Sequence, residues 1–318
     1  MEWSLEFTNR SGNQDFILLG LSARPRTRDV LFAAFLALYL LILLENTLII
    51  YLTCSCCELR KPMYFFLGNL SGLELCYVSV TMPTLLAGLR AGVCRVSFPA
   101  CMAQLFLFLA LIGTKCTLLA SMAYDRYVAV CLPLHYPLRM RPPVCRGLAA
   151  GSWLGGLGVS AARTACVARL TRCGPGVLNH FFCDAGVLRG GACGPAAGAK
   201  LADALAAGAV VGGSLLAALA AYAAIAVAVL RLPSAAAARR ALAACASHLA
   251  VMGVFYSAVL FVDSRPGRGH PADLNKVLSL LYTAVTPACS PVVYCLRNRQ
   301  VQAALQRVLC RRVGSREN

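Results

Sequence analysis

Long apolar runs alternate with short polar stretches along the chain. Each run has about 20 residues or more, which is the length a helix needs to cross the hydrocarbon core of a bilayer. There are seven runs: Val30–Thr53, Met63–Leu86, Phe98–Val130, Gly147–Val167, Leu201–Leu230, Ala241–Val262 and Val277–Leu296. The pattern predicts an all-α membrane protein, in which residues 30–296 form a seven-transmembrane helix bundle between an N-terminal segment (1–29) and a C-terminal tail (297–318).

The composition supports lipid as the solvent of this chain. Of its 318 residues, 59% are hydrophobic and 14% are charged, whereas soluble domains have about 25% charged residues. The net charge of +17 comes from short basic clusters between the runs, which favours anionic lipid headgroups over nucleic acid as the partner. No cleavable signal peptide is expected, because the first run is long enough to remain as an anchor.

The orientation follows from the loops. Seven spans place the two termini on opposite sides of the membrane. If the N-terminus is outside, the loops on the inner side are shorter and denser in Lys and Arg than the outer loops, and this is the distribution that cytoplasmic loops have. The glycosylation sequon Asn9-Arg10-Ser11 also requires an N-terminus outside the cytosol. We therefore predict an outside N-terminus, with Asn9 as the glycosylation site.

Several ionisable residues lie inside the runs, where they are costly and usually face the bundle interior. Glu74 and Lys115 each lie about 17 Å from the inner end of their helix, and Glu45, beside Asn46, is at a similar level. We therefore expect a buried cluster of Glu45, Glu74 and Lys115. In the alternative, one or more of these residues lines a water channel unpaired or is protonated.

An arginine with an acidic neighbour ends the third run. Asp125, Arg126 and Tyr127 lie within the sequence SMAYDRYVAVCLPLHYP at 121–137. An arginine at the membrane edge is rare and is usually functional, and Asp125 can hold it. The alternative is a snorkelling anchor, which is common for arginine at helix ends.

The cysteines fall into two groups. Cys101, Cys173, Cys183 and Cys193 are predicted outside, where four cysteines suggest two disulfides with three possible connectivities. The inner Cys54, Cys56 and Cys57 are interpreted as structural thiols or an acylation site. Metal binding is the alternative at these inner cysteines and at the outer sequence 180–184, but no site is assigned, and no cofactor is expected.

The fifth span, the seventh span and the C-terminal tail have compositions that predict local structure. The fifth is rich in Ala and Gly, which permits close helix contact or leaves open volume. Pro287 and Pro291 should kink the seventh, and Ser290 can satisfy freed backbone groups. A basic amphipathic tail, Arg297 to Arg312, is expected on the membrane surface.

Taken together, these motifs resemble the mammalian olfactory receptors of the rhodopsin-like G-protein-coupled receptor superfamily, over nearly the whole chain. The motifs that carry the resemblance are Pro62-Met63-Tyr64-Phe65-Phe66, MAYDRYVAVC at 122–131, Pro133-Leu134-His135-Tyr136-Pro137, His180-Phe181-Phe182-Cys183-Asp184, Cys245-Ala246-Ser247-His248-Leu249, Pro291-Val292-Val293-Tyr294 and Leu296-Arg297-Asn298.

The resemblance implies a plasma-membrane receptor in which a small odorant binds between the helices and the inner face activates a stimulatory olfactory G protein, raising cAMP. Arg126 would be held by Asp125 at rest and released when the sixth helix moves outward. Tyr222 and Tyr294 would then stabilise the active form.

The resemblance also implies the disulfides Cys101–Cys183 and Cys173–Cys193. It places the ligand in the outer halves of the third, fifth, sixth and seventh helices, where the molecule would be mainly apolar. The residues expected to contact it are Phe108, Leu109, Ile112, Gly113, Ala206, Val210, Tyr256, Val259, Asp263 and Thr283, although several could be packing residues alone.

Three positions depart from the family pattern. Glu45 stands where Gly is usual, Ser290 where Asn is usual, and Lys115 where an acid is common, in a region that holds a sodium ion in the wider superfamily. Our hypothesis is that the Lys115 ammonium replaces that ion and pairs with Glu74. The alternative is a weakly coupling or decayed receptor.

A transporter and a membrane enzyme are the two alternative function classes. A transporter would show internal repeats or broken midplane helices, and no repeat is visible in the sequence. A membrane enzyme would need a convergent catalytic set, and the His, Ser and acidic residues within the runs form no recognisable one. The sequence therefore favours a receptor over an enzyme.

Overall fold

Helices make up most of the protein. A computed structural model describes residues 15–21, 24–171, 176–192, 197–231, 234–263, 276, 279–297 and 299–314. In chain order the helices are α1 (Pro25–Ser55), α2 (Pro62–Ala91), α3 (Phe98–Cys131), α4 (Tyr136–Arg139), α5 (Pro142–Ala168), α6 (Ala185–Gly190), α7 (Ala197–Leu230), α8 (Ala235–Asp263), α9 (Thr286–Arg297) and α10 (Arg299–Gly314).

The seven predicted spans coincide with α1, α2, α3, α5, α7, α8 and the segment that ends in α9. A turn of π-helix, Leu281–Val285, precedes α9 in that last segment, where Pro287 cannot donate a backbone hydrogen bond. The predicted fold class, an all-α seven-helix membrane bundle, is confirmed.

The helices differ in how strongly their sequences mark them as spans. Within the described residues, α1, α2, α3 and residues Leu201–Leu230 of α7 are each long and apolar enough to cross a membrane, and α8 makes a fifth if its two halves, bent by 42°, count as one. Several helices also begin before their apolar run: α1 begins at Pro25 and α8 at Ala235. The reason is that apolarity marks where a helix meets lipid, and the helix itself continues into the polar interface.

Helix α3 occupies the centre of the bundle, in contact with α2, α5, α7 and α8. Its closest approach is to α5, where a Cβ added at Gly156 would lie 2.7 Å from the Ala110 carbonyl oxygen and 2.8 Å from the Thr114 nitrogen. In the Gly-rich α7, by contrast, a Cβ added at Gly208 or Gly212 would meet nothing within 4 Å. Close helix contact through a glycine therefore occurs at α5, and these two glycines of α7 are not packed against another helix.

A small sheet lies at the end of the bundle where α3 begins, which we call the outer end. Strand β1 (Phe16–Leu18) lies between β2 (Cys94–Val96), to which it is antiparallel, and β3 (Val177–Leu178), to which it is parallel. The sequence did not predict this sheet, because strands of two or three residues are too short to show an alternating pattern. Phe16 and Leu18 are buried, so the sheet ties the N-terminal segment to two loops.

A disulfide and an ion-pair cluster fix the outer loop that precedes α7. Cys183 is bonded to Cys101 in the first turn of α3. Asp203 of α7 is 1% exposed and binds two arginines, Arg163 of α5 at 2.6 Å and Arg189 of α6. The second predicted disulfide, Cys173–Cys193, and the glycosylation site Asn9 lie outside the described residues.

The C-terminal helix α10 lies against the opposite end, which we call the inner end. It contacts α1, α9 and the 3-10 turn Cys57–Leu59. Val301 and Ala304 are buried, and the side chain of Gln300 accepts a hydrogen bond from Tyr64 at 2.9 Å. The apolar face of the predicted amphipathic helix is therefore packed on the bundle.

The crossing of α3 and α5 gives a stability prediction. Gly156→Ala should lower the free energy of unfolding by about 1–3 kcal/mol, because the new methyl group overlaps backbone atoms of α3. Gly158→Ala is the matched control, since a Cβ there meets nothing within 4 Å. Thermal melts in detergent micelles measure both, and equal melting temperatures for the two variants would contradict the packing.

Candidate functional site

At the inner end of α3, Asp125 is held by two partners. Arg126 Nη2 lies 2.5 Å and Arg126 Nε 3.2 Å from Asp125 Oδ2. On its other oxygen Asp125 accepts a hydrogen bond of 2.8 Å from the hydroxyl of Tyr136, in α4. Burial, together with the Asp125 charge, raises the pKa of the Tyr136 phenol, so this hydroxyl stays protonated and donates. Asp125 is 1% exposed, and the sequence had not assigned Tyr136 a role.

The other predicted switch residues lie on helices around this pair. The Tyr222 hydroxyl of α7 is 2.6 Å from His248 Nδ1 of α8, and this hydrogen bond joins the inner parts of the two helices. Tyr127 packs beside the cluster of Ile225, Val229 and Cys245. The side chain of Tyr294 lies outside the described residues.

Midway along α3, Lys115 and Glu74 form a buried ion pair. Lys115 Nζ is 2.6 Å from Glu74 Oε1, and the two side chains are 1% and 0% exposed. The ammonium also lies 4.8 Å from the centre of the Phe255 ring, on α8. The Ser290 hydroxyl of α9 donates to the Thr286 carbonyl at 2.9 Å, and its oxygen lies 3.5 Å from Glu74 Oε1. Four helices, α2, α3, α8 and α9, therefore meet at this charge pair.

Glu45 does not join this pair, so the prediction of a three-residue cluster is wrong for this member. Its Oε2 is buried and has no hydrogen-bond partner in the described structure. The next residue, Asn46, is 1% exposed and faces inward, where it donates to the Ile42 carbonyl at 2.9 Å. Successive helical side chains point about 100° apart, so Glu45 faces a different part of the surroundings from Asn46.

In the outer half of the bundle, the aromatic residues among the predicted ligand contacts lie in the interior. The Phe108 ring is 5.5 Å from that of Tyr77 and 4.7 Å from that of Phe182, which precedes the disulfide cysteine. The Tyr256 hydroxyl donates to Ser214 Oγ at 2.9 Å and lies 3.3 Å from the Cys116 carbonyl oxygen. These contacts connect α3 to α2, the outer loop, α7 and α8.

The remaining predicted contacts differ in exposure. Leu109 and Val259 are 8% exposed, and Thr283 is fully buried and donates to the Ser279 carbonyl at 2.6 Å. Ile112 and Ala206 are half-buried. The side chain of Asp263 lies outside the described residues.

Gly113, one of the residues expected to contact the ligand, lies where α3 packs against α5. A Cβ at Gly113 would lie 3.3 Å from Gly156 Cα and 3.9 Å from Val210 Cγ1. The absence of a side chain lets α5 and α7 approach α3 at this level, and Val210 is part of the same contact.

Several polar contacts at the outer end were not predicted. Gln104 of α3 donates to the Val80 carbonyl and to Thr84 Oγ1, both at 2.8 Å, and accepts from the Cys183 nitrogen at 3.0 Å. His180 Nε2 is 3.1 Å from Ser279 Oγ. Of the outer-end polar contacts, only that of Asp203 could have been predicted from the sequence. Asp203 is the single acid of an Ala-rich helix, and an ionisable residue inside a span usually faces the bundle interior and pairs there, as Glu74 and Lys115 do.

A cavity of about 750 Å³ lies at the inner end, between α1, α2 and α5. None of the predicted ligand contacts whose side chains the structure describes lines it. Its walls include Ile50, Gly72 and Trp153, and three basic residues, Arg60, Lys61 and Arg146, lie at its edge. The cavity is thus a feature separate from the predicted ligand region.

Comparison with known proteins gives a consistent result. The family model described as olfactory receptor matches residues 35–312. Mouse Olfactory receptor 6Z7 is 60% identical over 309 residues, which are 97% of this chain and 99% of the relative. Rat Olfactory receptor 226 is 46% identical over 96% of this chain and 95% of the relative, and human Olfactory receptor 6A2 is 44% identical over 95% and 94%.

The ion pair at Lys115 gives a prediction about sodium. Replacing sodium by choline should leave the melting temperature of the wild type unchanged, because the ammonium already neutralises Glu74. Lys115→Glu puts two carboxylates together and should make the protein more stable in sodium than in choline, since an ion that binds the folded state stabilises it. A strong sodium effect on the wild type would refute the hypothesis.

The outer loop gives a prediction about pH. Burial lowers the pKa of His180, and the charge of Lys276 adds a smaller lowering effect. The charge of Asp184 raises this pKa but does not cancel the effect of burial. The unfolded chain therefore binds a proton that the folded chain does not, so stability is complete above the ordinary histidine pKa and falls as the pH drops below about 6.5.

His180→Gln should remove this part of the pH dependence, which is at most about 1.4 kcal/mol per pH unit. Melting temperatures between about pH 7.5 and pH 5.5 measure it, with His135→Gln as the control at an exposed histidine. Parallel pH profiles for wild type and His180→Gln would show that this imidazole does not contribute.

Proposed function

The chain belongs to the olfactory receptor family, and from this membership we propose that it binds small, mainly apolar odorants within its helix bundle and activates a stimulatory olfactory-type G protein, raising cAMP. Family membership supports odorant reception by a multi-pass membrane protein of a receptor class rather than an enzyme class. The observation that carries the coupling proposal is the Asp125–Arg126 pair on the inner end of the central helix.

The proposed orientation places the outer end outside the cell and α10 in the cytosol. Residues 1–29 would then be the extracellular segment, residues 30–296 the receptor domain in the plasma membrane, and residues 297–318 the cytoplasmic tail. The Cys101–Cys183 disulfide at the outer end supports this orientation, because disulfides persist in oxidising compartments. Cys54, Cys56 and Cys57 at the inner end are free thiols, as in the reducing cytosol.

The proposed ligand region surrounds Phe108 and Tyr256. Apolar and aromatic side chains with a few convergent hydroxyls are typical of a small-molecule site, and Tyr256 supplies such a hydroxyl beside Ser214. The Cys101–Cys183 disulfide and Gln104 hold the loop that carries Phe182 over this region. An odorant would therefore bind beneath that loop, among α3, α7 and α8.

The proposed transmission step runs through α8. Tyr256 is hydrogen-bonded to α7 and lies against the α3 backbone, and Phe255 beside it packs on the Lys115 ammonium. A ligand that rearranges Tyr256 changes how α8 packs on α3, and a ligand shifts such an equilibrium by its different affinity for the two packings. At the inner end, outward movement of α8 would change the Tyr222–His248 contact and open the surface around Arg126.

Release of Arg126 would then expose its guanidinium to the G protein. Asp125 does not become an unpartnered buried charge in this step, because the Tyr136 hydroxyl continues to donate to it. This second partner reduces the cost of separating the pair, since a buried charge that loses all partners is strongly destabilising. The proposed switch residues are Asp125, Arg126, Tyr127, Tyr222 and Tyr294, with Tyr136 in addition.

Arg126→Ala should abolish odorant-evoked cAMP, because it removes the group proposed to bind the G protein. The measurement is a cAMP assay with an odorant panel in cells with matched surface expression. Arg139→Ala is the control, an exposed arginine of the same end that should signal as the wild type does. An Arg126→Ala chain that still responds fully would exclude the proposed coupling.

A further inference from the structure

We propose that the cavity between α1, α2 and α5 at the inner end binds one anionic phospholipid, with an acyl chain inside and the headgroup phosphate at Arg60 and Arg146. The cavity volume, about 750 Å³, is that of a small-molecule site. Basic recesses between transmembrane helices at this depth are suited to anionic headgroups. The site is distinct from the proposed odorant region, and the proposal does not depend on which odorant binds there.

The shape of the cavity suits a chain that enters from the membrane. Leu59, Met140 and Cys145 are buried and form its back, whereas Phe65 is 38% exposed and lies toward the lipid. On the α2 wall a Cβ added at Gly72 would meet nothing within 4 Å. An acyl chain can therefore lie along α2 without displacing a side chain.

The polar groups of the interior already have partners in the protein. Tyr64 donates to Gln300 of α10, and the Trp153 indole N–H is 3.4 Å from Asn69 Oδ1. A ligand in the interior of the cavity would thus contact mainly apolar surface, which favours a hydrocarbon chain over a polar ligand.

The charge at the mouth is unbalanced. Three basic residues and no acidic residue are among the described residues that line the cavity. Lys61 donates to Gln300 at 3.3 Å, and Arg146 donates to the Pro142 carbonyl of its own helix. The guanidinium of Arg60 has neither a hydrogen bond nor an ion pair within the described structure. Two guanidinium groups beside an apolar recess complement a phosphate joined to an acyl chain.

The test compares lipid retention by the full chain in nanodiscs of phosphatidylcholine with and without a minor fraction of phosphatidylserine. Native mass spectrometry should find one phosphatidylserine per chain, retained in preference to phosphatidylcholine. The double variant Arg60→Ala, Arg146→Ala should bind phosphatidylserine about fivefold more weakly for each arginine. Gly72→Leu fills the cavity and should also reduce retention.

Matched controls separate this site from general membrane electrostatics. Arg139→Ala removes an exposed arginine that does not line the cavity, and Gly158→Leu adds the same side chain at an open glycine on α5. Both should retain phosphatidylserine as the wild type does. Equal retention of the two phospholipids, or the same loss in the controls, would overturn the proposal.

A wild-type measurement covers the case in which a variant does not fold. Cys54 lines the cavity, whereas Cys57 is an exposed thiol of the inner end that does not. Phosphatidylserine should slow the alkylation of Cys54 relative to phosphatidylcholine and leave Cys57 unchanged, as read by peptide mass spectrometry. Unchanged alkylation of Cys54 would exclude occupancy of the cavity.

Discussion

Lys115 and Glu74 are both almost completely buried, and neither could keep its charge in the bundle without the other. Their contact determines how α2 and α3 are rotated and at what depth they meet, because a shift of one turn would separate charges that are now 2.6 Å apart. Ser290 brings α9 to the same point, and the Phe255 ring brings α8. The pair therefore acts as a polar centre around which the apolar surfaces of four helices pack.

The ion pair lies midway along α3, and the two halves of the helix on either side of it make different contacts. Toward the outer end α3 carries the disulfide at Cys101 and the ring of Phe108. Toward the inner end it carries Asp125 and Arg126. The two halves are covalently one helix, so in the proposed mechanism α3 is the reference against which α8 moves. The α8 residues Phe255 and Tyr256 lie beside the centre, which is why the proposal routes the coupling between ligand and inner end through them.

Much of this arrangement follows from simple features of the sequence. Seven runs of sufficient length define the spans, and the 1.5 Å rise of a helix puts Lys115 and Glu74 at one depth, where the structure has them in contact. The face of a residue is harder to predict: Glu45 and Asn46 are neighbours, and which one turns inward depends on packing around the whole helix. The short sheet and the Tyr136–Asp125 hydrogen bond depend on tertiary contacts that no local pattern encodes. Gly113 is a further case, since its role depends on how closely α5 approaches.

The cluster at Asp203 has a consequence for how this gene can vary. Two arginines share one carboxylate there, so mutation of either cation leaves the acid neutralised by the other. Mutation of the acid leaves two like charges facing each other across α5 and α6. The fold should therefore tolerate loss of Arg163 or Arg189 better than loss of Asp203, so substitutions at the acid are the ones expected to lower the amount of folded receptor.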